Sequence, residues 1–120
     1  MSFLDCPRTP VLNASDCTVS NNRAHIRVRY NETVRVRRLQ LFYTEAVYKG
    51  LSQTDWNFME ASGSEVSGGS VDFTITSLLQ GRMYKTYAIA SNDIGESQPS
   101  DELWFRTIDC DTVEIQVISK

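Results

Sequence analysis

The chain predicts an all-β fold, a sandwich of seven short antiparallel strands. Apolar and polar residues alternate with a period of two in several short runs, and Gly, Asn and Ser turns separate them. No segment carries a sustained helical period. Residues 78–84, Leu-Leu-Gln-Gly-Arg-Met-Tyr, join two of the runs through a turn that holds Gly81 and ends in Tyr84. A tyrosine opening a strand just after such a turn is the arrangement of a tyrosine corner, with the ring under the turn and the hydroxyl on upstream backbone.

The 120 residues suit one domain, long enough for a single core. Cys6-Pro7-Arg8-Thr9-Pro10 is an extended lead-in, since proline is tolerated at sheet edges and not in central ladders. A weakly alternating first strand begins at Leu12 and Ala14, and residues 16–23 are polar and turn-like with Asn21-Asn22 at the tip. Residues 24–30 form the cleanest strand: Ala24, Ile26, Val28 and Tyr30 on a dry face, His25, Arg27 and Arg29 on a wet one. One-sided burial of this kind implies an antiparallel sheet.

Residues 36–44 give the third strand, with Leu39, Leu41 and Tyr43 on one face and Gln40 and Phe42 on the other. Residues 45–55 are ambiguous, and Trp56-Asn57-Phe58-Met59 is a short fourth strand. The small, polar residues 61–70 predict a mobile loop. Val71-Asp72-Phe73-Thr74-Ile75 and the run from Tyr84 to Ala90 are the strands on either side of the corner, and residues 102–107 are the seventh. Val113, Ile115 and Val117 alternate once more, as an extra C-terminal strand or the start of another domain.

From Phe73 to Thr107 the residues resemble the fibronectin type III domain: Phe73-x-Ile75-x-x-Leu78, Gly81, Tyr84, Ala88-x-Ala90-x-Asn92-x-x-Gly95, Ser97, Pro99-Ser100 and Phe105-x-Thr107. The resemblance implies an immunoglobulin-like sandwich over residues 9–107, with 1–8 as lead-in and 108–120 as an extension. Tyr30 stands where that family usually carries a strand-B tryptophan, so Tyr30 and Tyr84 are expected to be structural. Two departures stand out. Gln80 replaces the proline before the corner glycine, and the loop between the first two strands looks a few residues long. Thr86, Ala88 and Ala90 are small for inward positions, so Tyr30, Phe73, Leu103 and Phe105 are expected opposite them.

Composition excludes several functions. A net charge of −3 gives no basic excess for nucleic acid, and no apolar run approaches the roughly 18 residues of a membrane span. The one histidine, His25, lies on a wet face among arginines, and no nucleophile elbow or phosphate loop is present. The residues thus predict a non-enzyme with no cofactor. Cys6, Cys17 and Cys110 fit no zinc spacing. Strands A and G of the sandwich run toward the same pole, which favours a Cys17–Cys110 bridge; a small buried Cys17 with free thiols and a Cys6–Cys17 bridge are the alternatives. Met1-Ser2-Phe3-Leu4-Asp5 lacks the pattern of a signal peptide, while the sequons Asn13-Ala14-Ser15 and Asn31-Glu32-Thr33 favour an extracellular origin. The expectation is an extracellular or cell-surface fragment, glycosylated at Asn13 and Asn31.

Alternation also predicts where a partner binds. If Leu41, Tyr84, Ala88 and Phe105 point inward, then Phe42, Tyr87, Ile89 and Trp104 point outward. In the fibronectin type III topology their strands C, F and G are neighbours, so the four would form one apolar patch suited to a protein partner, a neighbouring domain or self-association. A lysine or arginine stem such as that of Lys85 or Arg106 could instead cover the rings. A second candidate is the basic cluster Arg23, Arg27, Arg29, Arg35, Arg37 and Arg38, suited to a sulfated glycan or acidic partner. Strands B and C belong to opposite sheets, however, and Asp72 is expected beside Arg27 and Arg29. A ligand-free structural spacer is the remaining reading.

Overall fold

The computed structural model describes residues 6–46 and 56–109. Seven strands form two antiparallel sheets: β1 (Val11–Val19), β2 (Ala24–Arg29), β3 (Arg38–Glu45), β4 (Asn57–Ser62), β5 (Ser70–Ile75), β6 (Met83–Ser91) and β7 (Leu103–Arg106). One sheet has the order β1-β2-β5 and the other β4-β3-β6-β7. The alternation read in β2 is realised residue by residue, with Ala24, Ile26 and Val28 fully buried. They share one core cluster with Leu39, Leu41, Ala88 and Ala90 of the facing sheet and with Tyr30, Phe73 and Phe105, and Leu103 packs against that cluster.

The long first loop is instead strand. β1 continues to Val19, and the turn is only Ser20 to Arg23, closed by the Ser20 N–H on the Arg23 carbonyl at 2.9 Å. The extra residues lie inside β1: Leu12 pairs with Val28 and Cys17 with Ile26, so residues 13–16 bulge opposite Arg27. Polar bulge residues read like a turn because neither they nor turn residues face a core. Residues 63–69 likewise hold a 3-10 turn, Gly63–Glu65, where the Ser62 N–H donates to Glu65 Oε1 at 3.0 Å.

The corner forms as expected. The Leu79 N–H donates to the Tyr84 hydroxyl at 2.8 Å, and the Tyr84 ring stacks on Phe105 with centroids 5.6 Å apart. Thr107 Oγ1 completes it, donating to the Leu79 carbonyl at 2.6 Å and accepting the Arg82 N–H at 3.0 Å. Gly81 sits at φ +67°, and a Cβ there would lie 3.2 Å from Cβ of Asp109.

Tyr30 is buried, and its hydroxyl is enclosed without a hydrogen-bond partner among the described residues. An enclosed, unpaired hydroxyl loses its water and gains nothing in return. Tyr30→Phe is therefore expected to leave stability unchanged or raise it by up to about 1 kcal/mol. A loss above about 1 kcal/mol in urea unfolding would show that the hydroxyl is bonded.

Cys17 is a free thiol and so is Cys6; Cys110 lies outside the described residues, as do residues 113–117. Among the described residues Cys17 has no disulfide partner, and the one expected for it, Cys110, lies outside them. The Cys17 side chain packs against the core as a small apolar group, and burial pushes its pKa up.

Candidate partner-binding face

The outer surface of the β4-β3-β6-β7 sheet carries a row of aromatic rings. Register builds it: Phe42 of β3 stands opposite Phe58 of β4 on one side and Tyr87 of β6 on the other. The Phe42 ring stacks on Tyr87 at 4.9 Å and tilts against Phe58 at 5.6 Å, while Trp56, just before β4, meets Tyr87 edge-on at 4.9 Å. Such pairs contribute about 0.5–1.5 kcal/mol each beyond their burial, so the row is a fixed surface. On β7, Trp104 stands opposite Lys85, whose Nζ lies 5.4 Å from the Trp56 ring centre and 6.0 Å from that of Trp104. The ammonium thus links the two tryptophans by cation–π contact. Glu102 accepts the Trp104 indole N–H at 3.1 Å and holds that ring in place.

The four residues read from strand parity all lie on this face, but they are not equally available. Trp104 is 55% exposed; Phe42 and Ile89 are half-buried. Tyr87 is only 6% exposed, because Phe42 and Trp56 cover it, so it supports the surface rather than presenting one. Phe58, 55% exposed, and Trp56 were missed. Their signal was available: Trp56 and Phe58 share parity opposite Met59 and Ala61, which packs at 5% exposure into the core. The short 56–59 run simply offered too few inward residues to set that parity.

The arginines divide as the sheets do. Arg27 and Arg29 lie on the outer face of β1-β2-β5, each in a two-pronged ion pair: Arg27 Nε and Nη2 reach Asp72 at 2.7 and 3.3 Å, and Arg29 Nε and Nη2 reach Asp16 at 2.7 and 3.1 Å. Arg37 approaches Asp93 at 3.5 Å and Arg38 approaches Glu60 at 3.7 Å. Arg23 and Arg35 have no ion pair among the described residues. Arg35 and Arg37 line a cleft of about 630 Å³ with Tyr30 and Glu32, and Arg37 and Arg38 line a smaller one beside Asp93.

The hydrogen bonds from Arg29 and Arg27 hold the carboxyls of Asp16 and Asp72 below the usual carboxylate range. A depressed folded-state pKa gives stability that is present above the unfolded value and lost as pH falls through the folded one. The melting temperature should accordingly drop on acidification below about pH 4, and drop less in Asp72→Asn. An equal acid-induced shift in parent and variant would remove Asp72 from the account.

No protein-family model matches the chain, and no curated protein matches it in sequence. Solved structures do. A myokine structure superposes at a TM-score of 0.65 with 17% identity, covering 86% of this chain and 99% of that one. The FN1-FN3 domains of chicken CNTN1 give 0.67 and 18%, over 88% of this chain and 32% of the other. The chain has the fibronectin type III fold. Domains A168-A170 of titin agree at 0.59 and 16% identity, over 88% and 32%, so this chain spans about a third of each of those two longer chains. In fibronectin type III terms β1, β2 and β5 are strands A, B and E, and the aromatic row lies across C′, C, F and G. Among the described residues no cluster of His, Cys, Asp and Glu is placed to hold a metal ion, and no helix is long and apolar enough to cross a membrane.

Proposed function

We propose that this chain is an extracellular protein-binding module of a cell-surface receptor, adhesion or matrix protein, and that a second protein or a neighbouring domain docks on the outer face of C′, C, F and G. The observation that carries the reading is the aromatic row. Phe58 and Trp104 stand at its two ends, each more than half exposed, and Phe42, Tyr87 and Trp56 brace the space between them. Large rigid rings on a flat sheet bring contact area at low entropic cost, the profile of residues that dominate protein interfaces. The sequons at Asn13 and Asn31 support the extracellular setting. A sulfated-glycan partner has weaker support, because Arg27 and Arg29 are already neutralised and the cluster is split between sheets.

The test is binding of the parent to a panel of recombinant ectodomains and to immobilised heparin, alongside the double variant Phe58→Glu, Trp104→Arg. The expected result is an ectodomain, or a second copy of the chain, whose affinity falls more than about tenfold in the variant while melting temperature holds. If the folded variant keeps every affinity of the parent, the face is not the interface. Retention on heparin that falls steeply with salt and is lost in Arg35→Glu, Arg37→Glu would favour the glycan. Absence of any binding would favour the spacer.

A further inference from the structure

The charges on the aromatic face do not cancel. The carboxylates described on it are already engaged: Glu60 accepts a hydrogen bond from Gln40 Nε2 at 3.3 Å and lies 3.7 Å from Arg38 Nε, and Glu102 holds the Trp104 indole N–H at 3.1 Å. The side chains of Lys85 and Arg106, on the same face, make no ion pair and no hydrogen bond among the described residues. Lys85 Nζ lies instead over two rings, 5.4 Å from the Trp56 centre and 6.0 Å from that of Trp104. Ring faces attract an ammonium but leave its charge in place and its three N–H groups without a carboxylate or carbonyl acceptor. The indoles also hold the half-buried Lys85 in position and keep water from part of it, so an arriving carboxylate meets a donor already placed.

We infer that the protein docking on this face presents an acidic segment, with an apolar side chain on Phe42 and Phe58 and carboxylates at Lys85 and Arg106. The inference rests on the face being the interface and adds the partner's chemistry to it. Register sets the spacing. Lys85 is two residues before Tyr87 on β6, and Tyr87 pairs with Phe42, so Lys85 stands about 7 Å along the strands and about 5 Å across them from Phe42. Trp104 pairs with Lys85 and Arg106 with Met83, which puts Arg106 about 7 Å farther in the same direction. An extended segment meets all three points when an acidic residue follows an apolar one by about two or three positions and a second acidic residue comes about two positions later. A basic segment would set a cation beside Lys85 with no uncommitted carboxylate described there to receive it. A sulfated glycan would meet the two cations but bring nothing apolar to Phe42 and Phe58.

The full chain, held by a terminal affinity tag, is panned against a displayed library of random linear peptides. Selected peptides are synthesised and titrated against the parent and against Phe58→Ser, Lys85→Gln and Arg106→Gln, each at the parent's melting temperature. They are expected to carry Asp or Glu close to an aromatic or aliphatic residue and to bind Phe58→Ser more than about tenfold more weakly. Lys85→Gln should lose about tenfold to a hundredfold, the span for one hydrogen-bonded charge. The charge-reversed variant Lys85→Glu, Arg106→Glu should select Lys- and Arg-rich peptides in place of acidic ones. Peptides that depend on Phe58 but carry no acidic residue, or that keep their affinity in Lys85→Gln, overturn the inference and leave the face as the interface. If no selected peptide depends on Phe58, the inference and the reading of the face fall together.

Discussion

Replacing Ser97 and Ser100 together by alanine is expected to remove about 2–6 kcal/mol of stability, about 1–3 kcal/mol for each buried amide left without an acceptor. Beyond the pairing of Thr86 with Leu103, no strand among the described residues pairs with β6 on that side. The segment that passes it contains Pro99, which has no N–H to donate. The two serines replace the missing ladder. The Ser97 N–H bonds the Ala90 carbonyl at 2.7 Å and Ser97 Oγ accepts the Ala90 N–H at 3.0 Å. Ser100 does the same for Ala88, at 2.9 Å in both directions. Ala88 and Ala90 are fully buried, so water cannot take over. Each single variant should show about half the loss in urea unfolding, since the two amides share no partner. A double variant within about 1 kcal/mol of the parent would mean that these hydroxyls only decorate the edge.

Tyr84→Ala should cost about 3–5 kcal/mol, the range for deleting a buried aromatic ring. Tyr84→Phe isolates the hydroxyl and should cost about 1–2 kcal/mol, because it strands the Leu79 N–H and keeps the stack on Phe105. Thr107→Val removes the group on the other side of the same loop, the donor to the Leu79 carbonyl. The double variant Tyr84→Phe, Thr107→Val should cost less than the sum of its singles, since both hydroxyls hold Leu79 and either loss frees it. Strict additivity in the thermodynamic cycle would argue that the corner is two independent hydrogen bonds.

Residues 73–107 could be read closely because β6 runs for nine residues between shorter strands and each turn carries its own punctuation. Tyr84, the small inward positions of β6 and the outward parity of Phe42 and Trp104 all follow from a period of two anchored on buried neighbours. The start of the chain was harder. Residues 13–16 are polar because they bulge, and a bulge has no one-dimensional signature distinct from a turn. The short 56–59 run could not reveal that Phe58 belongs to the candidate face.

The sandwich, its strand parity and the sheet that turns aromatic residues outward were all legible in the chain. Parity follows from local backbone geometry, in which neighbouring side chains must point to opposite faces, and the placement of strands C, F and G side by side is what the family resemblance implied. Which outward rings are available emerged from the folded molecule, because exposure depends on what stands across the sheet. Tyr87 is covered by Phe42 and Trp56, residues distant in sequence and brought together by register, while Phe58 and Trp104 are left open. Register likewise decided that Arg27 meets Asp72, which divided a run of arginines that the linear sequence had placed together.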